Sequence, residues 1–210
     1  MKKLLLVAFS LTINFDSFAA FESTYEPLQS EKILFINGNI LDGEGNELLN
    51  TDILIADGKI IAIGKGISIE DKDVKIIDAK NKWITPGIID IHSHMGVYPA
   101  PSVRTSSDGN EATSPVTAEV WAEHSMWVQD PQYALALKGG ITTFHVLPGS
   151  ANLIGGRGVT VKNLQRNTIQ SMKYPDAKHS LKMACGENPK RVYGNRGQAP
   201  STRMGNFAGY

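Results

Sequence analysis

Cysteine is nearly missing from this chain: Cys185 is the only one in 210 residues. A single thiol closes no intramolecular disulfide, so the fold must stand on its apolar core. Within Lys182-Met183-Ala184-Cys185-Gly186 it reads as a small buried apolar residue, not a nucleophile. An excess of charge of either sign is also missing. The 21 basic and 21 acidic side chains cancel to a formal charge of +0, with no long basic run. That removes the electrostatic footprint of nucleic-acid binding and of polybasic membrane contact. No apolar run is long enough for a stable membrane span, because the best one, Leu4 to Phe15, is short and broken. What remains, with 41% hydrophobic residues, is ordinary globular composition, enough for one good core or two small ones.

The first residues have the charge order of a secretory signal. Lys2 and Lys3 precede the apolar stretch, and Ser17-Phe18-Ala19 places small residues where a signal peptidase reads. We therefore expect 1–19 to be a cleaved signal peptide and the mature protein to be periplasmic or secreted. Residues 20–31 are polar and read as a linker. From Lys32 the texture becomes short β-rich runs broken by turn pairs. Asp57-Gly58, between Ile53-Leu54-Ile55-Ala56 and Lys59-Ile60-Ile61-Ala62-Ile63, is a strong hairpin signal. Residues 32–84 thus predict a small antiparallel β unit.

From residue 85 onward, strands alternate with helical stretches. A strand ends at His92-Ser93-His94, and a long polar loop follows from Pro99 to Pro115. Helices are expected over Thr117 to Val128 and from Asp130-Pro131 to Lys138, which stops at Gly139-Gly140. Further strands are expected at Ile141 to Leu147, Gly158 to Lys162 and Leu181 to Cys185. This rhythm predicts parallel β/α units. Four such strands cannot close an eight-stranded barrel, so the pattern is half of one or a different, open sheet.

His92-Ser93-His94 carries the chemistry. Side chains alternate faces along a strand, so His92 and His94 point the same way, with Asp90 behind them. Two neutral imidazoles at a strand's carboxyl end can chelate one borderline divalent cation. The Pro86-Gly87 turn and the apolar run before the pair argue against two ordinary surface histidines. The other histidines read differently: His145 as a satisfied core residue, His124 as packing and His179 as solvent-exposed. Gly149, Gly155, Gly156 and Gly158 lack the phosphate-binding fingerprints. They read as a loop letting backbone approach a pocket, with Asn152 and Arg157 as its substrate-facing polar groups. Lys190-Arg191, near Arg203, offers a carboxylate contact or is simply exposed.

Four stretches together resemble the amidohydrolase superfamily, specifically the secreted imidazolonepropionase-like amidohydrolases. They are Ile84-Thr85-Pro86-Gly87-Ile88-Ile89-Asp90-Ile91-His92-Ser93-His94, Gly139-Gly140-Ile141-Thr142-Thr143, Leu147-Pro148-Gly149-Ser150-Ala151-Asn152-Leu153-Ile154-Gly155-Gly156 and Lys182-Met183-Ala184-Cys185-Gly186-Glu187-Asn188-Pro189-Lys190-Arg191-Val192-Tyr193-Gly194. The resemblance implies an α/β fold: the first half of a (β/α)₈ TIM barrel, strands one to four over 85–210, preceded by the N-terminal share of a β-sandwich over 32–84. It implies hydrolysis of C–N bonds in small amides, dipeptides or cyclic amides by a metal-activated water, with one or two divalent ions, zinc first and iron or manganese as alternatives. It makes His92 and His94 metal ligands and Lys182 the bridging fourth-strand ligand, with Glu187 and Lys162 as fallbacks. The family's later ligands have no matching position before Tyr210, so the chain by itself is expected to be an inactive N-terminal part. Homo-oligomers at full length are compatible with the family. The competing reading is a non-catalytic half-barrel that binds metal or a partner chain.

Overall fold

The computed structural model describes residues 20–70 and 73–210, and the expected signal peptide lies outside them. Two sheets organise the chain. The first contains β1 (Ile33–Leu41), β2 (Glu47–Ala56), β3 (Lys59–Gly64), β4 (Lys75–Asp78) and β5 (Trp83–Ile84). Its order is β3-β2-β1-β4, with β5 also pairing β1. The Asp57-Gly58 hairpin forms as expected: both residues have positive φ, 50° and 70°, which suits the twist of a two-residue connection. The unit is mixed, however, and not purely antiparallel, because β4 and β5 run parallel to β1. After β3 the chain crosses to the far edge of the sheet before pairing again, and such a crossover delivers parallel neighbours. Leu34, Ile40, Ile53 and Ala56 are its buried apolar side chains.

The second sheet has the order β6-β7-β8-β9, from β6 (Ile88–Ser93), β7 (Ile141–Val146), β8 (Ile154–Lys162) and β9 (Ser180–Met183). β6 and β7 are parallel, joined by a crossover that contains α1 (Gln132–Lys138). β8 corrects the expected run of parallel units: it starts earlier, at Ile154, and is antiparallel to both β7 and β9. The turn between Val146 and Ile154 is too short for a crossover, so the chain can only double back. β9 then runs in the same direction as β6 and β7. Alternation along β7 and β8 sends Phe144, Val146, Val159 and Val161 into the core with Val97, Tyr133 and Met172, and turns His145 and Thr160 to the other face.

The expected helix over Thr117 to Val128 does not form; only a 3₁₀ turn, Ala122–His124, is helical there. The segment instead lies along β8, with Thr117 N donating to the Ile154 carbonyl and Arg157 N to the Val120 carbonyl. Backbone groups already paired to a strand edge cannot also build a helix. Gly156 permits this approach, because a Cβ there would overlap Val120. Residues 20–31 have no regular structure, yet they dock: Thr24 N donates to the Gln170 carbonyl and Phe21 N to the Glu123 carboxylate. Two helices follow β9, α2 (Glu187–Gly194) and α3 (Arg203–Gly209). β6 is an edge strand with Ile88, Ile89 and Ile91 exposed at 54%, 60% and 76%. Among the described residues, no helix is long and apolar enough to cross a membrane.

Candidate metal centre

β6 delivers His92 and His94 at its carboxyl end, with ring centroids 5.5 Å apart and nearly perpendicular. The two rings are held differently. His94 Nδ1 lies 2.8 Å from the Leu147 carbonyl, which can only accept, so Nδ1 carries the proton and Nε2 keeps a lone pair. A ring oriented by a backbone carbonyl is the usual support of a metal-binding imidazole. His92 Nε2 meets Lys182 Nζ at 2.9 Å, where the imidazole accepts from the amine. Asp90 turns back on its own strand: Oδ1 accepts from His92 N at 3.0 Å.

Lys182 comes from β9, the opposite edge of the sheet, opposite Gly156 of β8. With glycine at 155 and 156 its aliphatic stem can lie over β8; a Cβ on Gly155 would stand 3.7 Å from Lys182 Cγ. Burial pushes the Lys182 ammonium below the ordinary lysine range. The Lys182 charge pushes His92 down first, followed by burial and His94, while Asp90 opposes them. The pair therefore disfavours positive charge and favours free lone pairs.

Of the three fourth-strand candidates, Lys182 alone reaches the histidines. Lys162 instead places its ammonium over the rings of Tyr25 and Tyr174, at 4.7 and 4.6 Å. Glu187 is exposed in the first turn of α2 and pairs with Lys190 at 3.2 Å. The two expected substrate-facing groups are not brought to the histidines. Asn152 is buried, its amide donating to the Glu111 carbonyl and Thr117 Oγ1 at 2.7 Å each, and it accepts from the Tyr193 hydroxyl. Its hydrogen-bonding groups are thus engaged in holding the loop. Arg157 stacks on Trp121, with Cζ 4.6 Å from the ring centroid.

The remaining singled-out residues divide. His145 is a satisfied residue, bonded to Thr160 Oγ1 at 2.9 Å and Ser180 Oγ at 2.6 Å, and burial lowers its basicity. His124 is exposed but packs against Phe21. His179 is not a free surface residue: it bonds the Gly158 carbonyl at 2.9 Å and meets Trp121 edge-on. Cys185 is exposed, contrary to the buried reading, because β9 ends at Met183 before it.

A cleft of about 260 Å³ opens beside His94, lined by Tyr98, Asn110, Ser150, Asn188 and Arg191 among others. Gly149 is essential to its wall, since a Cβ there would overlap the Asn110 amide and the Tyr98 hydroxyl. The sequence offered Lys190-Arg191 as a carboxylate contact or as simply exposed residues, and of the two only Arg191 lines this cleft.

As metal donors, His92 Nε2, His94 Nε2 and a neutral Lys182 suit a borderline divalent ion, and they amount to part of a shell. Among the described residues, no cluster of three or more His, Cys, Asp or Glu could hold a metal.

No family model matches the chain. It is similar to a solved amidohydrolase from Thermotoga maritima, 42% identical with a TM-score of 0.74, over 84% of this chain and 45% of that one. It is 36% identical to the amidohydrolase tasK of Hapsidospora irregularis over 165 residues, 73% of this chain and 17% of the relative. A dihydroorotase of Bacillus cytotoxicus is 34% identical over 117 residues, 56% of this chain and 21% of the relative. Fold and strand-end histidines thus define a partial hydrolase-type α/β barrel adjoining a share of a β-sandwich. The chain belongs to the amidohydrolase superfamily. It spans less than half the length of each of these relatives.

Proposed function

We propose that this chain forms the metal-binding front of a hydrolase that cleaves C–N bonds in small amides, dipeptides or cyclic amides. The observation that carries the reading is the convergence of β6 and β9, with His92 Nε2 and Lys182 Nζ 2.9 Å apart beside a His94 oriented by the Leu147 carbonyl. His92 and His94 would hold a divalent ion through Nε2, and Lys182 would add a third donor once neutral. Such an ion supplies Lewis acidity and lowers the pKa of its water. The Leu147 carbonyl fixes the His94 ring, and the Lys182 charge holds His92 below the ordinary histidine range. None of the three is a carboxylate, so turnover requires a general base from elsewhere in the protein. Zinc suits the nitrogen donors, and iron or manganese are the alternatives. The relatives' names, amidohydrolase and dihydroorotase, support the C–N bond class. The charge order of residues 1–19 supports export to the periplasm or beyond.

The test is metal content and turnover of the complete native protein. We expect stoichiometric divalent metal and hydrolysis of some member of a panel of N-acyl amino acids, dipeptides and cyclic amides. The double variant His92→Ala/His94→Ala should lose both. Unchanged metal content in that variant would sink the assignment.

A further inference from the structure

We propose that His145 is a positioning residue: by tying β7 to β9 through Ser180, it holds Lys182 where that side chain meets His92. The proposal deepens the hydrolase reading and rests on its assignment of Lys182 as a donor. His145 lies on β7 and Ser180 on β9, and β8 runs between them. The ring nevertheless reaches across, with Nε2 2.6 Å from Ser180 Oγ and Nδ1 2.9 Å from Thr160 Oγ1 of β8. A neutral imidazole donates from one nitrogen and accepts at the other, and a hydroxyl takes either part, so both bonds form in either tautomer. Burial, with His179 and His92 adding to it, holds His145 below the ordinary histidine range and so favours the neutral ring that both bonds use. Gly158 makes the crossing possible. It pairs with Ser180, and a Cβ there would stand 2.7 Å from Ser180 Oγ, in the space the hydroxyl needs.

Two ties thus cross the sheet one above the other. Ser180 and Lys182 alternate with Leu181 along β9, so they share a face. On that face His145 meets Ser180, and His92 meets Lys182 at 2.9 Å. β8 carries glycine at both crossings, Gly158 beside Ser180 Oγ and Gly155 beside the Lys182 stem. The lysine alone does not fix its own position. Its stem is long and rotatable, β9 has only four residues, and Leu181 and Met183 on the opposite face are exposed. A short strand with so little packed beneath it keeps its distance from β6 only if its inner face is held. An apolar ring at 145 would fill the same space and need neither hydroxyl; what the imidazole adds is a directed bond beside the lysine.

The experiment uses the complete native protein. His145→Gln and His145→Asn separate the two bonds, because a glutamine amide reaches the place of Nε2 and an asparagine amide only that of Nδ1. The first keeps the Ser180 bond; the second keeps only the Thr160 bond. Zinc affinity is measured by competition with a chelator, with circular dichroism checking that each variant folds. We expect His145→Asn to weaken zinc binding about 10–100-fold and His145→Gln to stay within about threefold of the wild type. Ser180→Ala removes the same bond from the β9 side and should match His145→Asn. Equal affinity in the two His145 variants, whether both weakened or both intact, would overturn the tie, as would Ser180→Ala at wild-type affinity. Nitrogen NMR of the imidazoles in metal-stripped protein repeats the comparison without metal. The His92 resonances should move in His145→Asn and Ser180→Ala but not in His145→Gln, while His94, held by the Leu147 carbonyl, stays in place. A His92 that moves in none of them would also overturn the proposal. A wild type that binds no zinc, iron or manganese would overturn the hydrolase reading, and the His92 spectra would then decide the tie by themselves.

Discussion

Lys173→Met should be among the most damaging single substitutions away from the histidines. Glu123 is fully buried, and its Oε2 meets Lys173 Nζ at 2.6 Å, with side-chain exposures of 8% for the lysine and 0% for the glutamate. Its other oxygen accepts from Phe21 N at 2.8 Å, and the ammonium donates to the Phe21 carbonyl. The triangle ties three separate segments together, residues 20–24, the 3₁₀ turn and the 168–174 loop. Removing the lysine leaves a buried carboxylate with one remaining partner. Breaking a buried pair costs about 3–5 kcal/mol, and the surviving Phe21 bond places this case near 3 kcal/mol. In a chain of this size that lowers Tm by roughly 6–12 °C. The assay is urea unfolding followed by circular dichroism, with the midpoint falling and the slope unchanged. Glu123→Gln/Lys173→Met should recover much of the loss, since no buried charge is then left alone. A single variant within about 1 kcal/mol of wild type would refute the reasoning, because it would mean that the carboxylate finds water or another partner without cost.

Two further expectations concern the same fold. His92 and His145 are both held below the ordinary histidine range, so the unfolded chain binds their protons first on acidification; stability should fall as pH drops below about 6.5. Proton NMR of the imidazole resonances checks this, and normal midpoints for both rings would contradict it. The segment 20–210 expressed alone should self-associate through the exposed β6 edge, and Ile89→Thr/Ile91→Thr should reduce that association. Sedimentation velocity decides the point: a monomeric wild-type segment would overturn it.

Local chemistry made some of the molecule legible from the sequence alone. Asp57-Gly58 specified its hairpin because only a few residues accept two consecutive positive φ values. His92-Ser93-His94 specified a shared face because strand alternation has a period of two. The pair of strand-end histidines therefore needed no structure to be found, and Lys182 stood out as a lysine in an apolar strand. Strand direction was less accessible. Ile154–Lys162 has the composition of any buried strand, and its reversal follows from a short turn whose path depends on what it packs against. The segment Thr117 to Val128 has the spacing of a helix, but β8 offered its backbone better partners, so tertiary hydrogen bonding overrode local preference.

The sequence by itself determined which residues could bind a metal and the β-then-α/β order of the chain, because these rest on residue type and short-range periodicity. Tertiary structure alone decided that Lys182, not Lys162 or Glu187, meets His92, that Asn152 and Arg157 are held in the scaffold, and that Arg191 faces the cleft. Those outcomes depend on distances between residues up to ninety positions apart, such as Lys182 and His92, which only the pairing of strands across a sheet can set.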